Sequence, residues 1–155
     1  IDLKHVSRSI NKNIIFNKLK TINKWFIKNY KKKPKIAVLG LNPHNSELHI
    51  NSEENKTIIP IINKLKKDRF SIFGPYAADT IFISDYKKFD VIVGMYHDQI
   101  LAPFKAIYKF DAINLTLGLK YLRTSPDHGV AKNLILKKRA SHLSLMNCIK
   151  FFDNF

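Results

Sequence analysis

Residues 35–41 read Lys-Ile-Ala-Val-Leu-Gly-Leu, a short and nearly continuous apolar run. Pro34 precedes this run and the polar stretch 42–51 follows it. Such a run between turn residues is typical of a strand that is buried on both faces of a parallel sheet. Val91–Met95 (V-I-V-G-M) is a second run of this kind, and Ile113–Leu117 is a third. The sequence therefore predicts three buried strands.

Helical patterns separate these strands. Ser7–Tyr30 has apolar side chains at three- and four-residue spacing, which predicts one long amphipathic helix. Ser52–Lys67 is also helical in pattern, with Asn51 or Ser52 as its N-cap and a kink at Pro60. The remaining predictions are a short strand at 71–73 closed by Gly74-Pro75, and helices at 77–83, 130–138 and 141–152.

The order of these elements indicates the fold class. Strands that alternate with helices favour an α/β architecture, with a mostly parallel sheet flanked by helices. No linker-like segment interrupts the order, so we expect residues 1–155 to form a single α/β segment.

Composition excludes several classes of protein. The chain has 155 residues, 45% of them apolar, which argues against wholesale disorder. Its single cysteine, Cys148, excludes a disulfide framework and a multi-cysteine zinc site. No apolar run reaches the roughly 18 residues of a membrane span. We expect a cytoplasmic protein that does not interact with membranes.

The charge has two interpretations. A net charge of +15 would favour a polyanion partner such as nucleic acid. However, only four of the 27 basic residues are arginine, and lysine, isoleucine and asparagine make up more than a third of the chain. A nucleotide bias in the source genome explains this composition, so we expect no nucleic-acid partner. A basic polyanion-binding module without catalysis, either a decayed half-enzyme or a scaffold, remains the alternative function.

Two histidines follow predicted strands. The first strand leads into Asn42, Pro43 and His44, and the second leads into Tyr96 and His97. Because ligands bind beyond the carboxyl ends of parallel strands, the two imidazoles could converge on one metal ion. Two histidines are fewer than the three protein ligands usual in catalytic metal sites, and isolated loop histidines remain the alternative.

Six motifs occur along the chain in a characteristic order. They are L-G-L-N-P-H (39–44), T-I-I-P-I-I-N-K-L (57–65), G-P-Y-A-A-D-T (74–80), M-Y-H-D-Q (95–99), N-L-T-L-G-L (114–119) and R-T-S-P-D-H-G-V-A (123–131). Together they resemble the 4-hydroxythreonine-4-phosphate dehydrogenase family of vitamin B6 biosynthesis, which has an isopropylmalate-dehydrogenase-like fold. The resemblance runs from about Lys4 to Ile149 and concerns the carboxyl-terminal part of the family.

The resemblance implies a divalent metal, zinc, magnesium or cobalt, held by three histidines. Two of them correspond to His44 and His97. The third belongs to a T-x-H motif that would lie directly before Ile1, and His5 does not occupy that position. We therefore expect the chain to be the carboxyl-terminal portion of a larger, homodimeric dehydrogenase with its site at the subunit interface.

The resemblance also implies a phosphorylated amino-acid substrate, contacted by Lys105, Asn114 and Arg123. Arg123 offers a planar fork suited to an oxyanion, and Lys105 offers a movable point charge. Asn114 lies in an otherwise apolar strand, so we expect a buried amide that needs a partner. Asp98 is a candidate catalytic residue, either as a proton acceptor or as a carboxylate that orients an imidazole.

The implied reaction is oxidation and decarboxylation of this substrate with NAD or NADP. Residues 124–131 resemble a dinucleotide-binding loop, which makes Asp127, His128 and Gly129 candidate cofactor contacts. The alternative for this loop is a helix N-cap with Asp127 as the capping residue.

One segment departs from the family pattern. After His44 the family has a glycine-rich loop, whereas this chain reads Asn-Ser-Glu-Leu-His at 45–49. Glycine permits backbone angles that these residues resist, so we expect a loop of different shape. We expect His49 to be a surface residue of this loop.

Overall fold

The structure is a computed structural model of the 155-residue chain, and it describes residues 1–42, 49–129 and 141–154. The chain divides into two compact units, Ile1–Pro103 and Phe104–Phe155. The boundary falls inside one helix, α5 (His97–Tyr108).

The first unit contains a three-stranded parallel sheet with strand order β2-β1-β3. Its strands are β1 (Ile36–Leu39), β2 (Ile72–Tyr76) and β3 (Val91–Val93). Its helices are α1 (Val6–Ser9), α2 (Lys12–Tyr30), α3 (Ile59–Lys67) and α4 (Ala78–Ser84), with a π-helical turn at Glu54–Ile58 and 3-10 turns at Leu3–His5 and Tyr86–Lys88.

Strand β1 is buried on both faces, as its sequence predicts. On one face, Ile36 and Val38 pack in a cluster with side chains of α2 and α3. On the other face, Ala37 and Leu39 pack with Ile81 of α4. The predicted α/β class, a parallel sheet flanked by helices, is therefore confirmed.

The amino-terminal helix and strand β2 differ from their predicted extents. The long amino-terminal helix breaks at Ile10, which is extended, and restarts at Asn11, whose side chain accepts a hydrogen bond from the Ile14 N–H at 2.9 Å. Strand β2 continues past Phe73 to Tyr76. It does so because Gly74 lies against β1, where a Cβ atom would come within 2.3 Å of the Val38 carbonyl oxygen.

The segment between β1 and β2 begins as predicted. The Ser52 hydroxyl accepts a hydrogen bond from the Asn55 N–H at 3.2 Å, which is the geometry of an N-cap. The first turn is π-helical and runs directly into α3, so Pro60 lies within one continuous helical segment rather than at a free helix start.

Strand β3 ends at Val93, two residues earlier than predicted, and the chain turns into α5 at His97. Helix α5, which contains Pro103, was not predicted from the sequence.

The second unit contains an antiparallel hairpin of β4 (Ile113–Thr116) and β5 (Arg123–Pro126), packed against α6 (Leu143–Asp153). The prediction of a third strand buried in a parallel sheet was wrong, because β4 pairs with its sequence neighbour β5 and is partly exposed. The predicted closing helix corresponds to α6, whereas the helix predicted at 130–138 lies outside the described residues.

Ser144 connects helix α6 to the rest of the second unit by hydrogen bonds. It is 2% exposed, and its hydroxyl donates a hydrogen bond to the Ala112 carbonyl at 2.5 Å and accepts one from the Asp127 N–H at 2.8 Å. Helix α6 is thus bonded to the chain just before β4 and just after β5. None of the helices in the described parts of the chain is long and apolar enough to cross a membrane.

Candidate functional site

His97 and Asp98 are the first two residues of α5, just beyond the carboxyl end of β3. The imidazole Nδ1 lies 2.6 Å from the Asp98 carboxylate Oδ1, and the side chains are 76% and 81% exposed. A carboxylate only accepts hydrogen bonds, so Nδ1 is the donor of this pair. In the neutral ring, the lone pair is then on Nε2, which is the atom available to a metal.

The loop after β1 is held by a buried carboxylate. Glu54 is 2% exposed, and its Oε1 accepts hydrogen bonds from the backbone N–H groups of Leu41 at 2.7 Å and Asn42 at 3.1 Å. His44 comes two residues later in the sequence and lies outside the described residues, as does the segment 43–48.

A buried amide joins the ends of two strands. Gln99, in the first turn of α5, accepts a hydrogen bond from the Met95 N–H at 2.7 Å. The same amide donates a hydrogen bond to the Gly40 carbonyl, also at 2.7 Å. Gly40 directly follows β1 and Met95 follows β3, so one side chain bridges the carboxyl ends of both strands.

The side chains at the carboxyl ends of β1 and β3 supply only part of a ligand set for a divalent metal. His97 presents a paired imidazole of the kind that metal sites use. Within residues 1–42, 49–129 and 141–154, no three His, Cys, Asp or Glu side chains are grouped closely enough to hold a metal. His97 is therefore the one predicted ligand whose surroundings are described, and His44 stays a prediction. His49 is exposed, as expected of a surface loop residue.

Lys105 and Asp127 lie together in the second unit. The Lys105 ammonium is 3.0 Å from the Asp127 carboxylate Oδ2 and donates a hydrogen bond to the Asp127 carbonyl at 2.5 Å. The two side chains are 33% and 18% exposed. A predicted substrate contact is thus paired with a predicted cofactor contact.

Asn114 and Arg123 share one face of the β4–β5 hairpin. In the register, Asn114 faces Ser125 and Thr116 faces Arg123, which makes Asn114 and Arg123 diagonal neighbours on the same face. The Arg123 guanidinium donates a hydrogen bond to the Thr116 hydroxyl at 2.8 Å. The expectation that the Asn114 amide is buried was wrong: Asn114 is exposed, because its strand belongs to a partly exposed two-stranded hairpin.

His128 and Gly129 are exposed at the end of the described hairpin segment. The His128 ring Nδ1 lies 3.1 Å from the Gly129 carbonyl oxygen. Among the described residues, no atom lies within 4 Å of where a Gly129 Cβ would be. The helix that Asp127 was expected to cap lies outside the described residues, and the cofactor contacts stay predictions.

Sequence reasoning missed Glu54 and Gln99. The sequence did contain a signal for Glu54, because it lies four residues before Ile58 and eleven before Leu65, on the stripe that α3 buries. A charged residue on a buried stripe needs bonded partners, which points to a special role. Gln99 belongs to the motif M-Y-H-D-Q, but no local pattern shows that its partner is Gly40.

Comparison with known proteins shows the family and the fold of the chain. Residues 1–152 match the family model of the pyridoxal phosphate biosynthetic protein PdxA. The chain belongs to this family. The 4-hydroxythreonine-4-phosphate dehydrogenase of Aquifex aeolicus (strain VF5) is 39% identical over 155 residues, which are 99% of this chain and 48% of that protein.

Two further PdxA relatives give the same result. The 4-hydroxythreonine-4-phosphate dehydrogenase of Prosthecochloris aestuarii is 50% identical over 119 residues, which are 76% of this chain and 35% of that protein. The crystal structure of the Klebsiella pneumoniae enzyme of the same name superposes with a TM-score of 0.82 at 29% identity, over 97% of this chain and 46% of that one. The chain has the isopropylmalate-dehydrogenase-like fold of these PdxA neighbours and spans about half the length of the relatives that it matches.

Proposed function

We propose that this chain contributes to a metal- and NAD(P)-dependent 4-hydroxythreonine-4-phosphate dehydrogenase. The enzyme oxidises and decarboxylates 4-phosphooxythreonine in the biosynthesis of pyridoxal 5′-phosphate, in the cytoplasm. The observation that carries this proposal is the His97–Asp98 pair beyond the carboxyl edge of the parallel sheet, in a chain of the PdxA family. Because the chain spans about half of its relatives, the activity is proposed for this chain together with residues equivalent to their other half.

His97 and His44 are the proposed ligands of a zinc, magnesium or cobalt ion, with a third histidine from outside these 155 residues. A divalent cation lowers the pKa of a hydroxyl group and stabilises negative charge that develops on its oxygen. The contribution of His97 is a neutral imidazole with its lone pair on Nε2. The 2.6 Å contact with Asp98 supports an orienting role for that carboxylate, since it fixes the ring tautomer.

Arg123, Asn114 and Lys105 are the proposed contacts of the substrate's phosphate and carboxylate groups. The shared hairpin face of Asn114 and Arg123 supports a common ligand for these two side chains. Lys105 is paired with Asp127, so an anionic substrate would compete with that carboxylate for the ammonium group. Asp127, His128 and Gly129 are the proposed contacts of NAD or NADP.

A homodimer with the site at the subunit interface completes the proposal. Helix α6 supports it, because several large apolar side chains along this helix are exposed in the single chain. They are Leu143, Leu145, Met146, Ile149 and Phe152.

The test measures NAD(P)H absorbance with 4-phosphooxythreonine, using the protein expressed from the complete reading frame that encodes this chain. We expect turnover that a chelator abolishes and that added divalent metal restores. The His97→Ala variant should lose this activity. We expect none from the 155-residue chain by itself, because orienting the reactants can supply about 7–11 kcal/mol of barrier lowering and needs the remaining contacts.

Two results would contradict the proposal. Turnover that survives complete removal of divalent metal would exclude the metal from the reaction. Absence of turnover, together with metal-independent and steeply salt-dependent binding to a polyanion, would favour the basic binding module instead.

A further inference from the structure

We propose that Ser144 is a positioning residue for the Lys105 ammonium and acts through the backbone of Asp127. Ser144 is not itself a contact of substrate or cofactor. The inference rests on the proposed function, because there Lys105 binds an anionic group of the substrate. All three residues belong to the second unit, so their contacts lie within one compact part of the chain.

The Lys105 ammonium is held by one residue at two points. It lies 3.0 Å from the Asp127 carboxylate Oδ2 and donates a hydrogen bond to the Asp127 carbonyl at 2.5 Å. An ammonium group has three N–H donors, so these two contacts leave one N–H for a further acceptor. The Phe110 ring, whose centroid lies 5.6 Å from Nζ, adds a cation–π contact. A side chain that is normally flexible is therefore already ordered before an anion binds.

The two contacts with Asp127 respond differently to an anionic substrate. The carboxylate carries a full negative charge, so a phosphate or carboxylate group of the substrate competes with it and repels it. The carbonyl is uncharged and belongs to the backbone, so it keeps its hydrogen bond when the substrate replaces the carboxylate. The position of Lys105 in the substrate complex is therefore set by the position of the Asp127 backbone.

Ser144 fixes this backbone. Its hydroxyl accepts a hydrogen bond from the Asp127 N–H at 2.8 Å and donates one to the Ala112 carbonyl at 2.5 Å. The N–H that Ser144 binds and the carbonyl that Lys105 binds belong to the same residue, so displacement of one displaces the other. Ser144 is 2% exposed, so water has little access to replace these hydrogen bonds.

Helix α6 is a fixed support for the Ser144 hydroxyl. The Asn147 amide, in the same helix, donates a hydrogen bond to the Asp111 carboxylate Oδ1 at 2.6 Å. The Asp111 N–H in turn donates a hydrogen bond to the carbonyl of Tyr108, the last residue of α5, at 2.9 Å. Helix α6 is thus bonded to the segment that directly follows α5, the helix that carries the lysine.

The test uses the protein expressed from the complete reading frame that encodes this chain, with inorganic phosphate as the probe. Lysines are acetylated with a limiting amount of acetic anhydride at increasing phosphate concentration, and mass spectrometry measures the labelling of Lys105. The phosphate concentration that halves this labelling gives the local affinity. Lys88, which pairs with Asp85 at the surface, is the internal reference. The KM and kcat for 4-phosphooxythreonine are measured on the same samples.

Four variants are compared with the wild type. Ser144→Ala removes the hydroxyl, and Ser144→Cys fills the same space with a weak hydrogen-bonding group. Cys148→Ala is the matched control, because it truncates another buried side chain one turn along α6 and leaves the Ser144 hydroxyl in place. Lys105→Met removes the ammonium and, combined with Ser144→Ala, completes a double-mutant cycle.

We expect Ser144→Ala to weaken the phosphate protection of Lys105 about fivefold, the usual effect of losing one hydrogen bond. The KM should rise by a similar factor, with a smaller change in kcat. Ser144→Cys should fall between Ser144→Ala and the wild type. Cys148→Ala should lower the melting temperature without changing the protection or the KM. In the Lys105→Met background, Ser144→Ala should raise the KM no further, because the group that Ser144 positions is gone.

Three results would overturn the inference. Unchanged phosphate protection in Ser144→Ala would exclude a role for Ser144 in anion binding by Lys105. An equal loss in Cys148→Ala, or an equal rise of the KM from Ser144→Ala with and without Lys105, would show that Ser144 only stabilises the fold.

The proposed function fails on a different result. Absence of turnover in the wild type would contradict the proposed dehydrogenase, and the phosphate titration would still decide the role of Ser144. Conversely, metal-dependent turnover without phosphate protection of Lys105 in the wild type would support the dehydrogenase and overturn the role inferred for Ser144.

Discussion

The two ends of strands β1 and β3 are joined by different means. At their amino ends, the Asp90 carboxylate accepts a hydrogen bond from the Lys35 N–H at 2.9 Å and pairs with the Lys32 ammonium at 2.8 Å. The Lys32 side chain is 59% exposed, so solvent screens this ion pair. At the carboxyl ends, the Gln99 amide makes the connection and is almost completely buried.

This difference sets an exposed ion pair at the amino ends against a buried polar connection at the carboxyl ends. An exposed ion pair adds a small amount of stability and tolerates substitution. Removing polar side chains such as Glu54 and Gln99 from water costs free energy. Apolar side chains would fill the same space without this cost. The presence of Glu54 and Gln99 at the end where the candidate ligand His97 lies suggests that this end is built for precise loop geometry.

Glu54 should show the largest effect on stability. Glu54→Leu leaves the partly buried N–H groups of Leu41 and Asn42 without their carboxylate, so we expect the free energy of unfolding to fall by about 2–3 kcal/mol. Glu54→Gln keeps an acceptor oxygen and should lose about half as much. Urea denaturation measures both values. A Glu54→Leu variant as stable as the wild type would contradict the difference drawn between the amino ends and the carboxyl ends of β1 and β3.

Replacement of Asp90 should lower the free energy of unfolding by a smaller amount, and this loss should depend on pH. The Lys32 ammonium and then the Lys35 N–H lower the pKa of the Asp90 carboxyl below its ordinary value of 3.8. A carboxyl with a lowered pKa stabilises the fold above its unfolded pKa, and this contribution is lost as the pH falls through the folded-state value. We therefore expect Asp90→Asn to cost about 0.5–1 kcal/mol at pH 7.

Denaturation curves at several pH values check the Asp90 prediction. The difference between Asp90→Asn and the wild type should shrink as the pH falls below about 4. A difference that stays constant into acid would show that the carboxyl charge is not the source of the stability.

Replacement of Asp85 should change the stability least and serves as a reference. Its carboxylate pairs with Lys88 at 2.7 Å at the surface, where the Asp85 side chain is 43% exposed, and hydrogen bonds from Lys88 and Ser84 lower its pKa. Because solvent screens such a pair, we expect Asp85→Asn to leave the midpoint of urea denaturation unchanged. A measurable loss here would mean that exposed ion pairs matter more in this protein than the comparison assumes.

The sequence predicts the central part of this fold well. The apolar run at 35–41 shows burial on both faces without any knowledge of its neighbours, because continuous hydrophobicity is a local property. The N-cap at Ser52 is equally local. The hairpin partner of β4 was missed because Arg-Thr-Ser-Pro at 123–126 has neither apolar alternation nor a two-residue turn before it.

In the candidate site, too, local patterns could be predicted from the sequence and long-range contacts could not. His97, Arg123 and Lys105 could be named from motifs that the chain contains. The roles of Glu54 and Gln99 depend on contacts over 12 or more residues and 59 residues, respectively, and no local pattern encodes such pairings. The exposure of Asn114 likewise depends on which elements cover its strand, rather than on the apolar residues beside it.

Calorimetric titration with zinc tests the central claim, that His97 at the carboxyl end of the sheet is a metal ligand. Three forms of the 155-residue chain are compared: the wild type, His97→Ala and His142→Ala, the last at the exposed N-cap of α6. We expect weak binding by the wild type, because its ligand set is incomplete. The account predicts the same binding in His142→Ala and none in His97→Ala. Equal loss in both variants, or undiminished binding in His97→Ala, would contradict it.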